Sequence, residues 1–261
     1  MLTTDQISHF RKQGFVLVSG IFVDEELDQL EREFDQLVER RIHAQIATDA
    51  TWPGDWKKDQ PADHVILDCH DVQAFSSAWA RAIVHPRLTE AMSDCMGSPN
   101  IQLHHTKLFQ KPAGKGGGFP MHQDAPYFPH AKDTMMAAIV HLTDATEEMG
   151  CFQIIPGSHK FGRLPEFNTQ AHYLDPKQYP VEAGSPCEAS RGDVLFFHYL
   201  AIHGSGVNSS NKARKTVLIQ VRNPEDLPMD DSHPSHAQGM MLRGMNPRTD
   251  NVPDQQHRES S

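Results

Sequence analysis

No stretch of the 261 residues is apolar for the roughly 20 positions that a bilayer-spanning helix takes. The opening, Met1-Leu2-Thr3-Thr4-Asp5-Gln6, lacks the basic residues and apolar run of a secretory leader. The closing Glu259-Ser260-Ser261 does not match the peroxisomal tripeptide. Basic excess is missing as well. With 24 Lys and Arg against 34 Asp and Glu the net charge is −10, which argues against nucleic acid or an anionic membrane as the partner. The four cysteines, Cys69, Cys95, Cys151 and Cys187, form no CxxC pair and are too sparse for a disulfide framework. They read as free thiols of a reducing compartment, and the expected location is the cytoplasm. Gly116-Gly117-Gly118 is followed by neither a helix pattern nor a P-loop signature, which argues against a phosphate cradle. No internal repeat recurs.

What is present suits a single domain over 1–261 with a core large enough to need no staples. A helical part is expected over 1–97, a β core over 98–222 and a polar tail over 223–261, disordered at its end. Thr4, Ile7 and Phe10 before Gly14 predict a short capped helix, and Phe15-Val16-Leu17-Val18 a strand. Asp24 is expected to cap a second helix, whose Leu27, Leu30, Phe34, Leu37 and Val38 recur at helical spacing and belong to the core. Residues 47–63, with Trp52 and Trp56, have no periodicity and read as a long loop. Residues 71–96 predict two helices broken at His85-Pro86 and ended at Gly97. Strands are expected over 100–110, 135–143, 151–155, 193–198 and 214–222. A Pro-rich insertion over 158–190 should border the site; it and 47–63 are the two candidates for a lid, and 47–63 reads equally as a surface crossing with two aromatic anchors. The fold class that follows is mainly β with flanking helices, a double-stranded β-helix of the jelly-roll, cupin-like kind.

Chemistry concentrates in Phe119-Pro120-Met121-His122-Gln123-Asp124. On an extended strand residues i and i+2 share a side, so the His122 imidazole and Asp124 carboxylate converge. A second, distant histidine would complete the 2-His-1-carboxylate set of non-heme Fe(II) enzymes. An HxD or HxE pair is common by chance in a chain with 17 His, as His257-Arg258-Glu259 in the tail illustrates. His203 ends the apolar run that starts at Val194 and is followed by small turn-forming residues, so it is either that partner or a loop-capping histidine. Arg214 opens the next apolar run, Thr216 to Val221, either as a surface arginine or as a guanidinium placed for bidentate capture of a carboxylate.

Taken in order, "FPMHQDAPYFP", "GCFQIIPGSHK", "GDVLFFH", "IHGSGVN" and then Arg214 with "RKT" resemble the phytanoyl-CoA dioxygenase family of Fe(II)/2-oxoglutarate oxygenases, over roughly residues 100–222. The resemblance implies that His122, Asp124 and His203 hold Fe(II), that Arg214 grips the far carboxylate of 2-oxoglutarate, and that Ser205 helps hold it. It also implies that Lys107 and Gln123 line the co-substrate or the substrate, and that O2 takes the last position on the metal. The reaction it implies is hydroxylation of an unactivated C–H bond of a small molecule, with 2-oxoglutarate converted to succinate and CO2. One departure is Ile139, where many relatives carry tryptophan. Asp124 argues against halogenation, which requires the carboxylate ligand to be replaced. An acidic chain with few clustered arginines offers no evident seat for the nucleotide of CoA. A non-catalytic jelly roll that binds a carboxylate ligand and a metal is the competing reading. His141 and His198 read as hydrogen-bonded core groups, and Asp193 as a turn residue.

Overall fold

Thr3 and Gln6 open the first helix reciprocally. The Thr3 hydroxyl accepts from the Gln6 N–H at 3.2 Å, and the Gln6 side-chain oxygen accepts from the Thr3 N–H at 2.9 Å. Thr3, one residue before the expected Thr4, is therefore the cap, because its backbone is extended while Thr4 is already helical. The computed structural model describes residues 1–46, 49–51, 55–58 and 60–248. Helix α1 (Thr4–Gln13) stops at Gly14 in the left-handed conformation and leads into β1 (Phe15–Val18). Helix α2 (Asp24–His43) buries the expected stripe from Leu27 to Val38. Its first turn is closed by the Glu26 carboxylate on the Val23 N–H at 2.9 Å, not by the Asp24 side chain. The chain continues through α3 (Asp55–Lys58), β2 (Leu67–His70), α4 (Val72–Phe75), α5 (Ser77–Ala82) and α6 (Pro86–Met96). Residues 71–96 thus hold three helices rather than two, because Ser76 turns extended and caps the next one through the Trp79 N–H. The break before Pro86 and the stop at Gly97 lie where the sequence places them.

The other strands are β3 (Ile101–Lys111), β4 (Phe119–His122), β5 (Met136–His141), β6 (Phe152–Ile154), β7 (Ser185–Cys187), β8 (Val194–His198), β9 (His203–Ser205), β10 (Arg214–Arg222) and β11 (Met241–Arg243). They form two antiparallel sheets. One runs β1-β8-β5-β10-β3-β11 with β2 also on β3, and the other runs β4-β9-β6-β7. This is the expected jelly roll. The larger sheet has two apolar faces. On β8, Val194 and Phe196 pack with the helices, while Leu195 and Phe197 meet Phe152 and Ile154 of the smaller sheet. On β10, Val217, Ile219 and Val221 face the helices. Arg214, Thr216, Leu218 and Gln220 are thereby left on the inner face.

One irregularity in β3 matters for the site. Its register with β10 runs Arg214↔Lys111, Thr216↔Phe109, Leu218↔Lys107 and Gln220↔His105, then slips to Val221↔Leu103. The slip is a β-bulge with two residues of β3 opposite one of β10. It lets Ile101 and Leu103 before it and Leu108 after it all reach the helix side. In consequence His104 and His105, although consecutive, both turn inward, with Nδ1 atoms 2.7 Å apart. The polar tail is tied to the core before its end. The Asp226 carboxylate accepts from the N–H groups of Lys132 and Thr134, the Gly239 N–H donates to Leu103 O, and β11 pairs with β3. The disorder expected at the tail's end falls on 249–261, outside the described residues. Among the described residues, no helix is long and apolar enough to cross a membrane.

Candidate functional site

His122 on β4 and His203 on β9 are direct cross-strand partners, and their ring centroids lie 4.2 Å apart. Asp124 follows the end of β4, placed by its own N–H, which donates to Tyr199 O at 2.9 Å. The Asp124 Oδ1 atom is 3.7 Å from His122 Nε2 and 3.6 Å from His203 Nε2. All three side chains are buried. Each imidazole is oriented by the carbonyl two residues before it. His122 Nδ1 is 2.8 Å from Pro120 O and His203 Nδ1 is 3.0 Å from Ala201 O. A carbonyl only accepts, so each Nδ1 carries the proton and each Nε2 turns a lone pair toward the carboxylate.

This arrangement fits a metal cation. Burial pushes the Asp124 acid up to about 6, while the neighbouring His122 and the Gln220 amide favour its charged form. Asp124 Oδ2 is buried without a well-formed hydrogen bond. Burial, and for His122 also the second imidazole, holds His122 near about 3 and His203 near about 4, so both are neutral ligands at pH 7. Two imidazole nitrogens and one carboxylate are the donor set that suits Fe(II). Among the described residues no other group of three His, Cys, Asp or Glu side chains comes together this closely.

A second feature lies behind the triad. Arg214 is 1% exposed and Lys111, its cross-strand partner, 0%. Lys111 Nζ donates to Ser205 Oγ at 2.7 Å and to Gly206 O. Arg214 donates to Gly150 O, stands 5.5 Å from the centroid of the Phe152 ring, and leaves its Nε buried without a partner. Gly150 has φ +66°, and a Cβ there would sit 2.4 Å from Gly206 O, so this turn admits only glycine. Burial, and next the Arg214 charge, presses the Lys111 ammonium well below its usual value. Burial brings Arg214 down to about 10. Two buried cations side by side, each turned to a neutral carbonyl, make a seat for an anion.

Beside the triad a cleft is walled by Phe109, Phe119, Tyr127, Phe128 and Phe152. Lys107 reaches it, paired with Asp68 at 3.0 Å and lying over the Phe109 ring. Gln123 does not. Its amide donates to Gly162 O and Leu200 O and accepts from the Leu164 N–H, at 2.9, 2.7 and 2.9 Å. The expectation that Gln123 lines the co-substrate is corrected on that geometry. As the neighbour of His122 it points away from the metal ligands and pins the 158–190 segment instead. That segment packs on one wall of the cleft without supplying a lining residue: Tyr127 donates to Ala171 O at 2.7 Å and stacks edge-on with His172. In the 47–63 loop, residues 47, 48, 52–54 and 59 lie outside those described, Trp52 among them. Trp56 and Gln60 both reach Gly118 O at 3.5 Å, strapping the glycine run that precedes β4. Ile139 is buried between the sheets and does not line the cleft. His198 accepts from the Leu200 N–H, and Asp193 closes its turn on the Ser190 N–H and takes a hydrogen bond from Ser19. Sequence reasoning missed Lys111, Gln220, His105 and His233 as cleft or seat residues, because each is recruited by strand register or by the returning tail.

Comparison with known proteins gives a concordant picture. A family model described as Phytanoyl-CoA dioxygenase (PhyH) matches residues 10–216. The chain is 26% identical over 245 residues to a probable phytanoyl-CoA dioxygenase of Caenorhabditis elegans, covering 86% of this chain and 77% of that protein. It is 26% identical over 280 residues to an ectoine dioxygenase of Bordetella bronchiseptica, covering 98% and 83%. Among solved structures, the non-heme alpha ketoglutarate dependent carbocyclase SnoK from nogalamycin biosynthesis superposes with a TM-score of 0.74 at 17% identity, covering 94% of this chain and 95% of that one.

Proposed function

The chain belongs to the phytanoyl-CoA dioxygenase family and is an Fe(II)- and 2-oxoglutarate-dependent dioxygenase acting on a small molecule; from that premise we propose the roles of its residues. His122, Asp124 and His203 hold the iron. Arg214, with Lys111 and Ser205 beside it, takes the distal carboxylate of 2-oxoglutarate. Bound iron, with 2-oxoglutarate and O2, supplies the oxidising power that hydroxylates a substrate C–H bond while 2-oxoglutarate becomes succinate and CO2. The observation that carries the reading is the pair of Nε2 atoms held 3.6–3.7 Å from one Asp124 oxygen by carbonyls that fix both tautomers.

The protein's own part is placement. The Pro120 and Ala201 carbonyls keep the imidazoles aimed before any metal arrives, so little reorganisation accompanies binding. Arg214 offers a planar fork to one carboxylate, which orients the rest of the dicarboxylate toward the triad. Aromatic walls keep water from the reacting carbon, and the cleft holds that carbon in place. Because the helices pack on one face of the larger sheet and the cleft opens on the other, residues 1–248 act as one unit in this reading. Four buried unpaired thiols support a reducing location such as the cytoplasm. The non-catalytic alternative is disfavoured by the dioxygenases to which the chain is related.

The test is iron stoichiometry and succinate release on purified protein. One iron per chain and 2-oxoglutarate-dependent succinate formation with a member of a metabolite panel are expected. Iron retained by a protein carrying both His122→Ala and His203→Ala would remove the assignment.

A further inference from the structure

The end of the cleft away from the Arg214 seat carries polar groups that the chemistry above leaves unused. Gln220 lines the cleft at 0% exposure. Beyond a loose approach to Asp124, neither atom of its amide makes a hydrogen bond. A primary amide buried in that state calls for a ligand with matching polar atoms. His233, brought over the cleft by the returning tail, also leaves Nε2 buried and unpartnered. Its ring centroid is 4.5 Å from that of His105 and 5.5 Å from that of His70. The segment is fastened on both sides. Ser235 and the His236 N–H bond to the Asp71 carboxylate, and Ser232 donates to Tyr127 O. Lys107 completes the group, with Asp68 taking one of its three ammonium hydrogens.

Burial holds His70 near about 4 and presses His105 and His233 below the usual imidazole value, so each is neutral at pH 7 with one N–H and one lone pair. His104 and His105 share one hydrogen bond between their Nδ1 atoms, and the Lys107 ammonium and the Gln220 NH2 add further donors. Lys107 is the one cation among the lining residues, shared with Asp68 behind it, and Asp124 belongs to the metal. A ligand that meets imidazole, amide and ammonium donors together is rich in oxygen acceptors, and a carboxylate can take the ammonium hydrogens that Asp68 leaves. The aromatic walls beside it suit a hydrocarbon body.

We propose that Lys107, His105, His233 and Gln220 bind the carboxylate of the primary substrate, which is a small free acid and not a CoA thioester. The proposal rests on the dioxygenase reading of the same site and adds its substrate class. Gln220 contributes its NH2 to the carboxylate and its oxygen to any hydroxyl or amino group next to it. In this role Lys107 serves the substrate rather than 2-oxoglutarate.

The experiment uses the iron- and 2-oxoglutarate-loaded protein under argon. Short-chain, branched and aryl carboxylic acids are titrated calorimetrically, each beside its primary amide and its CoA thioester. Acids are expected to bind about tenfold or more tightly than the matching amides and thioesters. Lys107→Met and His233→Phe should each erase most of that preference, while iron content and 2-oxoglutarate affinity measured on the same samples stay at the unsubstituted values. Amides or thioesters binding as well as acids, no acid binding at all, or a preference that survives both substitutions would each overturn the proposal. Failure of the unsubstituted protein to take up iron or 2-oxoglutarate would instead strike the dioxygenase roles, and the proposal with them.

Discussion

Strands β4, β6, β7 and β9 are three or four residues long, whereas β3 and β10 have eleven and nine. The short-stranded sheet supplies both histidines of the triad, and the long-stranded sheet supplies none of its members. The long strands instead carry Lys107, Lys111, Arg214 and Gln220 in two facing rows. The contrast has a physical reason. Three converging ligand atoms need only one cross-strand pair and a turn, provided that nearby carbonyls hold the rings. Gripping extended organic acids at both ends needs reach, and each second residue of a strand adds a position about 6–7 Å further on. In the roles proposed above, metal geometry and acid recognition are therefore separable by mutation.

The largest break should come from the short-stranded side. Asp124→Ala removes the anionic ligand, and iron content and succinate release should both fall below detection. Full hydroxylation by this variant would detach Asp124 from the metal. On the long-stranded side, Phe196→Ala empties a fully buried position between β8 and the helices. It should cost about 3–5 kcal/mol in denaturant unfolding while leaving iron stoichiometry of the folded fraction intact. Parallel loss of iron would show that the two sheets are not separable. Arg214→Lys keeps a charge but loses the planar fork. The 2-oxoglutarate KM should rise roughly 30- to 150-fold, about 2–3 kcal/mol, with iron binding unchanged. An unaltered KM would free Arg214 of its role.

The smallest effect per group concerns acid. Burial lowers His104 and, to about 4, His141 and His198. The unfolded chain then binds more protons than the folded one between about 4 and the usual 6.5. Stability is thus present above 6.5 and lost as pH falls toward 4, by at most about 1.4 kcal/mol per pH unit for each histidine. In the metal-free protein Asp124, raised to about 6, has the opposite sign, with stability lost as pH rises through 6. One carboxylate against several histidines leaves a net loss in acid. Denaturant midpoints at pH 7 and pH 5 check the sign, and equal midpoints would show that these histidines protonate without unfolding.

How much of this could be read beforehand depends on the range over which each signal acts. The pair His122 and Asp124 is local, and His203 announces itself as a histidine that ends an apolar run of sequence before small residues. Lys111 had no such signal. Its importance comes from lying opposite Arg214, more than a hundred positions later in the chain, a relation set by register. The inward turn of both His104 and His105 was hidden as well, because a bulge shifts the parity of β3 there. The resemblance drew Gln123 toward the site, yet its adjacency to His122 on a strand means the opposite side. Strand β11 was hidden in a polar tail because edge pairing through backbone groups leaves little mark on side-chain pattern.

The buried pair Lys111 and Arg214 also bears on how a turnover ends. Oxidation alters the keto-acid end of 2-oxoglutarate and leaves its distal carboxylate as it was, so succinate presents the same group to the same two cations. In the role proposed for this pair, the grip that recruits the co-substrate also detains the product. The carbonyls of Gly150 and Gly206, to which Arg214 and Lys111 donate, are the rival acceptors at hand for those cations. The residence time of succinate is then set by a contest between one departing carboxylate and two backbone oxygens that never leave.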